Sequence, residues 1–265
     1  MEVPNVVNLK KDLNQFDDVR IAYLFSYPLR DVEIGVSRIK YLSKLGIDRI
    51  FLWGNTKLYG INVLGKGKSS IVVLAGSDKD LLVLKVSRLD SSVDRLANEY
   101  NVLTIIHEKY GSEKMAPRPL FFKNGILGLE YINGYSMEEF LSEYIYLLSL
   151  DELRHTLYRL FYKAFLLDKL GVDHGELSRP FKHIIFMIDD YEPVLIDFES
   201  ASIHRKVKNL TSLIQAMVVR SNAASYIREL FGINYNTVIP LLRLYRNNLD
   251  EQSFRNIVKI FNLTH

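Results

Sequence analysis

The stretch Leu64-Gly65-Lys66-Gly67-Lys68-Ser69-Ser70-Ile71-Val72-Val73, with Leu81-Leu82-Val83-Leu84-Lys85-Val86 after it, decides how the chain is read. Two glycines one residue apart let backbone amides approach a phosphate without side-chain obstruction. Gly60 to Lys66 matches the spacing of a Walker A loop, but Gly67 stands where that loop needs Ser or Thr. A strand-like run follows where a helix would be required, so the Walker A and dinucleotide-binding readings both fail. A glycine-rich turn between strands suits a flap over phosphates, and it equally suits an ordinary hairpin. Lys85 raises the odds of the flap. A lysine in the middle of an aliphatic strand is costly to bury unless its ammonium meets an anion, and otherwise it snorkels from an exposed face. Glu99, in the helical pattern that follows, offers that anion.

Working outward, Asp31 to Leu45 carries a helical apolar stripe closed by Gly46, and Arg49 to Trp53 reads as a short strand. Tyr59 to Leu64, Ser70 to Ala75 and Leu81 to Val86 are predicted strands, and Ser91 to Tyr110 is a predicted helix. Strands are expected at Leu120 to Phe122 and Ile126 to Tyr131, with Asn124-Gly125 as a tight turn between them. After Asn133-Gly134 the period changes to helical: Met137 to Leu147 and Asp151 to Leu170. A hairpin is predicted from Ile184 to Ile188 and Pro193 to Ile196, then helices to the end with breaks near Gly232 and Pro240. These patterns predict an α+β chain: an extension of helix plus short strand over 1–57, a β-rich lobe over 58–131 and a helical lobe over 132–265. The space between two such lobes is a natural ligand site.

Composition narrows the function. With 48% hydrophobic and 25% charged residues over 265 positions, the chain is neither disordered nor collagen-like. The absence of Cys excludes disulfides, thiolate nucleophiles and Cys-based zinc sites. Neither a signal peptide nor a membrane span is expected from the apolar runs, which suits a cytoplasmic protein. Net charge is +3, but residues 203–265 hold nine Lys+Arg against three Asp+Glu, a local +6 that leaves −3 for the rest. Such a basic segment is of the kind that meets RNA or a ribosomal particle. The dispersal of its cations over several helices describes a solvated face equally well.

A further constellation runs Asp173-His174-Gly175-Glu176-Leu177-Ser178-Arg179-Pro180, then the predicted hairpin, then Ile196-Asp197-Phe198-Glu199. A carboxylate before a hairpin and another at its far end can put two anions in one place. One would handle a hydroxyl proton and the other a metal ion.

Taken in order, these motifs resemble the protein-kinase-like superfamily, and most closely its atypical archaeal members related to RIO-type Ser/Thr kinases. Gly65-x-Gly67-x-x-Ser70 is similar to the glycine-rich loop, Lys85 to the phosphate-binding lysine and Glu99 to its helix partner. Leu129 to Gly134 resembles the hinge, His174 to Leu177 the catalytic loop, and Asp197-Phe198-Glu199 the metal-binding D-F-G. The resemblance spans residues 42 to about 200. It implies a bilobal kinase-like fold with a minimal activation segment, since no A-P-E follows Asp197. It further implies ATP and Mg2+ (or Mn2+) as cofactors. ATP would be held by Gly65, Lys66, Gly67, Ser69, Ser70, Lys85, Glu99 and the backbone of Glu130 and Ile132, with Glu176, Lys85 and Asp197 catalytic.

The departures open alternatives. Glu176 holds the place of the usual Asp, and its extra methylene moves the carboxylate by about a bond length. Phe181 stands where the second metal-binding Asn is expected, and His183 is the nearest candidate to replace it. The expected acceptor is therefore a protein hydroxyl, with a small hydroxyl compound of the aminoglycoside-kinase type, or a catalytically impaired pseudokinase, as the competing readings.

Overall fold

The computed structural model describes residues 5–9, 19–78 and 80–263. It is a mixed α+β chain whose N-terminal region is rich in sheet and whose C-terminal part is helical. Contacts divide it into two compact units, Met1–Asn101 with Arg118–Tyr131 and Val102–Pro117 with Ile132–His265. Parts of the 1–57 extension, residues 1–4 and 10–18, lie outside the described residues.

The first unit is built on β1 (Asn5–Asn8), β2 (Ile47–Leu52), β5 (Gly65–Lys66), β6 (Ser70–Ser77), β7 (Leu81–Ser87), β8 (Pro119–Lys123) and β9 (Ile126–Glu130). These form one antiparallel sheet in the order β1-β2-β6-β7-β9-β8, with β5 paired to β6. The interior strands β6 and β7 are the two β-branched and aliphatic runs that follow the glycine-rich turn, and burial on both faces favours such runs. The 1–57 segment is richer than the helix and strand read from its periodicity. It supplies β1, α1 (Arg20–Phe25), α2 (Val32–Lys44) and β2 to the unit. Asp31 caps α2 by accepting the Ile34 N–H, and Gly46 follows its end at φ +79°.

Buried Arg38 locks α2 to the sheet. Its guanidinium donates to the Phe25 carbonyl at 2.8 Å and to the Ser87 carbonyl and hydroxyl at 2.9 and 2.8 Å. Gly125, at φ +71°, is required there: a Cβ on it would lie 2.3 Å from the Ser87 hydroxyl and 2.8 Å from Arg38. The expected strand Tyr59 to Leu64 is instead a small hairpin, β3 (Thr56–Leu58) with β4 (Ile61–Val63), turning at Tyr59-Gly60. Both turn residues have positive φ, and no hydrophobic pattern reports that.

The second unit centres on α5 (Leu150–Leu170), opened by a Ser149–Glu152 capping box and closed by Gly171 at φ +78°. Around it lie α6 (Asn209–Gln215), α7 (Ala224–Leu230), α8 (Tyr235–Asn248) and α9 (Glu251–Ile260). A three-stranded sheet, β10 (Gly134–Ser136), β11 (Ile184–Met187) and β12 (Pro193–Leu195), holds the hairpin. Two expectations change. Met137 to Leu147 is not one helix but a single α turn, α4 (Met137–Glu139), then a π turn and a 3-10 turn. Pro240 does not break the chain, because α8 runs through it at the loss of one backbone hydrogen bond. The helix α3 (Asp94–Tyr110) completes the set. Among the described residues no helix is long and apolar enough to cross a membrane.

Candidate functional site

In the first unit, β5 and β6 form the glycine-rich hairpin. Gly65 pairs with Val72, Lys66 with Ile71, and the Gly67 N–H donates to the Ser70 carbonyl at 2.8 Å. Lys66, Gly67 and Lys68 are exposed at the tip. Ser69 and Ser70, expected to touch nucleotide, are buried at 0% and 1% exposure, so the tip and its amides are the accessible part. Cations gather here: Lys66 and Arg88 both sit over the Tyr27 ring, at 5.1 and 5.3 Å from its centroid.

Lys85 lies in the interior strand β7, in register with Val72 on β6 and Leu127 on β9. Its ammonium reaches both oxygens of Glu99, at 2.9 and 2.7 Å, with side-chain exposures of 8% and 0%. Glu99 occupies the buried stripe of α3 with Leu96, Leu103 and Ile106. A carboxylate on an otherwise apolar stripe is stable only where its charge is met. Two sequence-predicted residues are therefore brought together. Glu130 ends β9 exposed, in register with Leu82 on β7, and its N–H and carboxylate both engage the Arg118 backbone. Ile132 is half-buried in the second unit, just before β10.

In the second unit, the hairpin β11–β12 draws its two ends together. The Ile196 N–H donates to the His183 carbonyl at 2.9 Å, and His183 Nδ1 lies 3.4 Å from Asp197 Oδ2. That nitrogen is buried and makes no hydrogen bond of good geometry, so this close approach is an electrostatic contact. Asp197 sits at φ 67°, ψ 68°, a left-handed conformation uncommon for a residue with a Cβ and of the kind that clusters at functional sites. The Asp197 and Glu199 carboxylate oxygens approach within 4.8 Å. Glu199 was not singled out as a ligand from sequence. The signal was available: an acidic residue where D-F-G has glycine.

His174 and Glu176 sit on the loop between α5 and the hairpin. Their loop is anchored by a buried relay. Asp168, in the last turn of α5, accepts the backbone N–H groups of Asn209 and Leu210 at 2.9 and 3.2 Å, so it caps α6. It also accepts the Asn209 side-chain amide at 2.8 Å and the Tyr245 hydroxyl at 2.8 Å. Burial raises the Asp168 carboxyl to about 6, against the pull of these donors. Asn209 in turn accepts the His174 N–H at 2.9 Å. The His174 Nε2 faces the Ile196 carbonyl at 3.0 Å and must be the protonated nitrogen. Complete burial, helped by His183, lowers the His174 imidazole to about 4, so it stays neutral. Glu176 is half-buried, its carbonyl accepts the Arg179 N–H at 2.8 Å, and no described residue pairs with its carboxylate. Phe181, in the 3-10 turn Pro180–Lys182, offers no ligand atom.

The Asp197 and Glu199 carboxylates lie close enough to share a divalent cation, and His183 Nδ1 lies 3.4 Å from Asp197. Two carboxylates suit magnesium or manganese, and a buried imidazole nitrogen without a hydrogen-bond partner suits the softer of the two. Compared with protein-family models and with curated proteins, the chain matches none.

Proposed function

We propose that the chain is an ATP- and Mg2+-dependent phosphotransferase of a kinase-like, two-lobed kind, passing the γ-phosphoryl group to a protein Ser/Thr hydroxyl. The observation that carries this reading is the buried, two-pronged Lys85–Glu99 pair on the strand next to the glycine-rich hairpin. An ammonium so held is a fixed positive point suited to the α- and β-phosphates.

In this reading the amides and cations of Lys66 to Lys68 cover the phosphates, and the Glu130 carbonyl with the Ile132 N–H takes the adenine edge. Asp197 and Glu199, with His183, would hold the metal ion, which when bound neutralises charge on the phosphates. Glu176 orients the acceptor hydroxyl and takes its proton. The neutral His174, hydrogen-bonded to Ile196 and tied through Asn209 to Asp168, keeps the Glu176 loop and the Asp197 strand end in register.

The test is transfer from γ-labelled ATP with Mg2+ or Mn2+ to protein, peptide and small hydroxyl acceptors. Glu176→Gln is expected to lower turnover about 100-fold with nucleotide binding unchanged. Full activity of Glu176→Gln removes the assigned base. Transfer only to small metabolites overturns the protein acceptor. No nucleotide binding with either metal overturns the reading as a whole.

A further inference from the structure

Two guanidinium groups in the second unit meet the chain just before and just beyond Glu176. Arg205 donates from Nε to the buried Asp173 carboxylate at 2.9 Å and from Nη2 to the Ser200 and Asp173 carbonyls at 2.5 and 3.4 Å. A Cβ on Gly175 would lie 2.7 Å from that Nη2, so the guanidinium lies directly against the residue before Glu176. Gly175, at φ +90°, is the residue that permits this approach. The Arg205 side chain is still 50% exposed, and its Nη1 has no partner among the described residues.

Arg220 meets the same loop beyond Glu176. Its Nη1 donates to the Ser178 carbonyl at 3.1 Å, two residues beyond Glu176, and no described carboxylate pairs with it. A guanidinium anchored by a neutral carbonyl keeps its charge and its remaining donors while losing conformational freedom, which is a preorganised anion site. Exposed cations extend this face: Arg179 and Lys182 on the Glu176 loop, and Lys206 and Lys208 beside Arg205. Of the nearby carboxylates, Asp173 is held by Arg205, Asp197 and Glu199 lie close together, and Glu176 stands in the chain between the contacts of the two arginines, without a partner among the described residues.

We infer that this face binds an acidic polypeptide segment, so that the acceptor Ser or Thr is flanked by Asp or Glu. The inference rests on the phosphotransferase reading for the role of Glu176, but the binding face itself does not. The charge calls for an anion, and its spread over two segments and a helix end calls for several anionic groups in a row. Single-stranded nucleic acid is the other polyanion, but it needs exposed rings on which to stack. The only ring over 176–182 and 203–208 apart from His183 and His204 is the half-buried Phe181.

The test is fluorescence anisotropy of three labelled nonapeptides with a central Ser flanked by Glu, Ala or Lys, and of a labelled single-stranded RNA, with the full chain at low and moderate salt. The Glu peptide is expected to bind at least about tenfold tighter than the Ala peptide and to weaken with salt. Arg220→Gln is expected to weaken it about threefold to tenfold, and Arg220→Lys less. Equal binding of the three peptides, an unchanged Kd in Arg220→Gln, or RNA bound in preference to the Glu peptide each overturn the inference. Phosphorylation of the same peptides separates the two readings. Binding of the Glu peptide without transfer from ATP sinks the phosphotransferase and leaves the acidic-peptide face standing. Transfer to the Ala peptide as efficient as to the Glu peptide does the reverse.

Discussion

Among the described residues each unit buries one Lys–Glu pair, and the two are built differently. In the second unit Lys163, at 2% side-chain exposure, donates to Glu192, to the Lys114 carbonyl at 2.9 Å and to the Pro193 carbonyl at 2.6 Å. The other Glu192 oxygen takes Arg159 at 2.5 Å. Three acceptors from two places in the chain surround that ammonium, and an ammonium has three N–H groups. The arrangement is closed on itself. It ties α5 to the hairpin and to the segment after α3, and it has the form of a structural clamp. In the first unit Lys85 meets both oxygens of a single carboxylate, on an interior strand beside a hairpin whose tip carries exposed cations. Burial pulls the Lys163 ammonium below its ordinary pKa while Glu192 opposes that pull. Both pairs carry a heavy desolvation penalty, so neither is explained by stability alone. What differs is the setting: Lys163 is held by a carboxylate and two backbone carbonyls within the second unit, and Lys85 lies on an interior strand beside the glycine-rich hairpin.

That contrast can be broken by experiment. The largest expected effect is on the clamp. Glu192→Gln leaves Lys163 and Arg159 facing no carboxylate, and urea unfolding should register a loss of about 3–5 kcal/mol. The paired replacement Lys163→Met with Glu192→Leu should recover most of it, because no buried charge remains. If the single and paired variants are equally unstable, the clamp is not what Glu192 contributes. Next comes His174, the neutral imidazole of the same unit. Its pKa near 4 lies below the unfolded value of ~6.5, so below that value the unfolded chain takes up a proton that the folded chain refuses. Its stabilising contribution is complete above pH ~6.5 and falls by about 3 kcal/mol as the pH drops to 4. His174→Gln, which keeps a donor for the Ile196 carbonyl, should lose that slope. Parallel stability–pH curves for wild type and variant would remove the assignment. The last expected effect, and the sharpest on function, is at Lys85, replaced together with Glu99→Gln so that no carboxylate is left buried without its cation. Lys85→Met with Glu99→Gln should weaken ATP binding about 10- to 100-fold, the worth of one charged contact, while Lys163→Met with Glu192→Leu leaves nucleotide binding unaltered. Equal nucleotide affinity in the Lys85→Met, Glu99→Gln variant and wild type would put Lys85 in the same structural class as Lys163.

Why was one pair visible in the sequence and the other not? Lys85 interrupts an aliphatic strand run, where a charge stands out against a period of two. Lys163 sits in a long helix of mixed composition, where every third or fourth residue is polar and one lysine on the inner face looks like any other. Its partners, Lys114, Glu192 and Pro193, lie 49, 29 and 30 residues away and share no pattern with it. The relay from Asp168 through Asn209 to His174, and the buried Arg38, leave no mark on the local pattern for the same reason.

By itself the sequence determined the local events: the glycine-rich turn between strands, the strand lysine, the helix end at Gly46, and the change from sheet to helix. Those follow from side-chain period and backbone preference over a few residues, which are legible without any partner in view. Only the tertiary structure decided that His183, Asp197 and Glu199 gather at the ends of one hairpin, and that Arg205 and Arg220 meet the chain just before and just beyond Glu176. These are meetings of charge across tens of residues. Coulomb and desolvation energies depend on distance in space, and spacing along the chain does not report it.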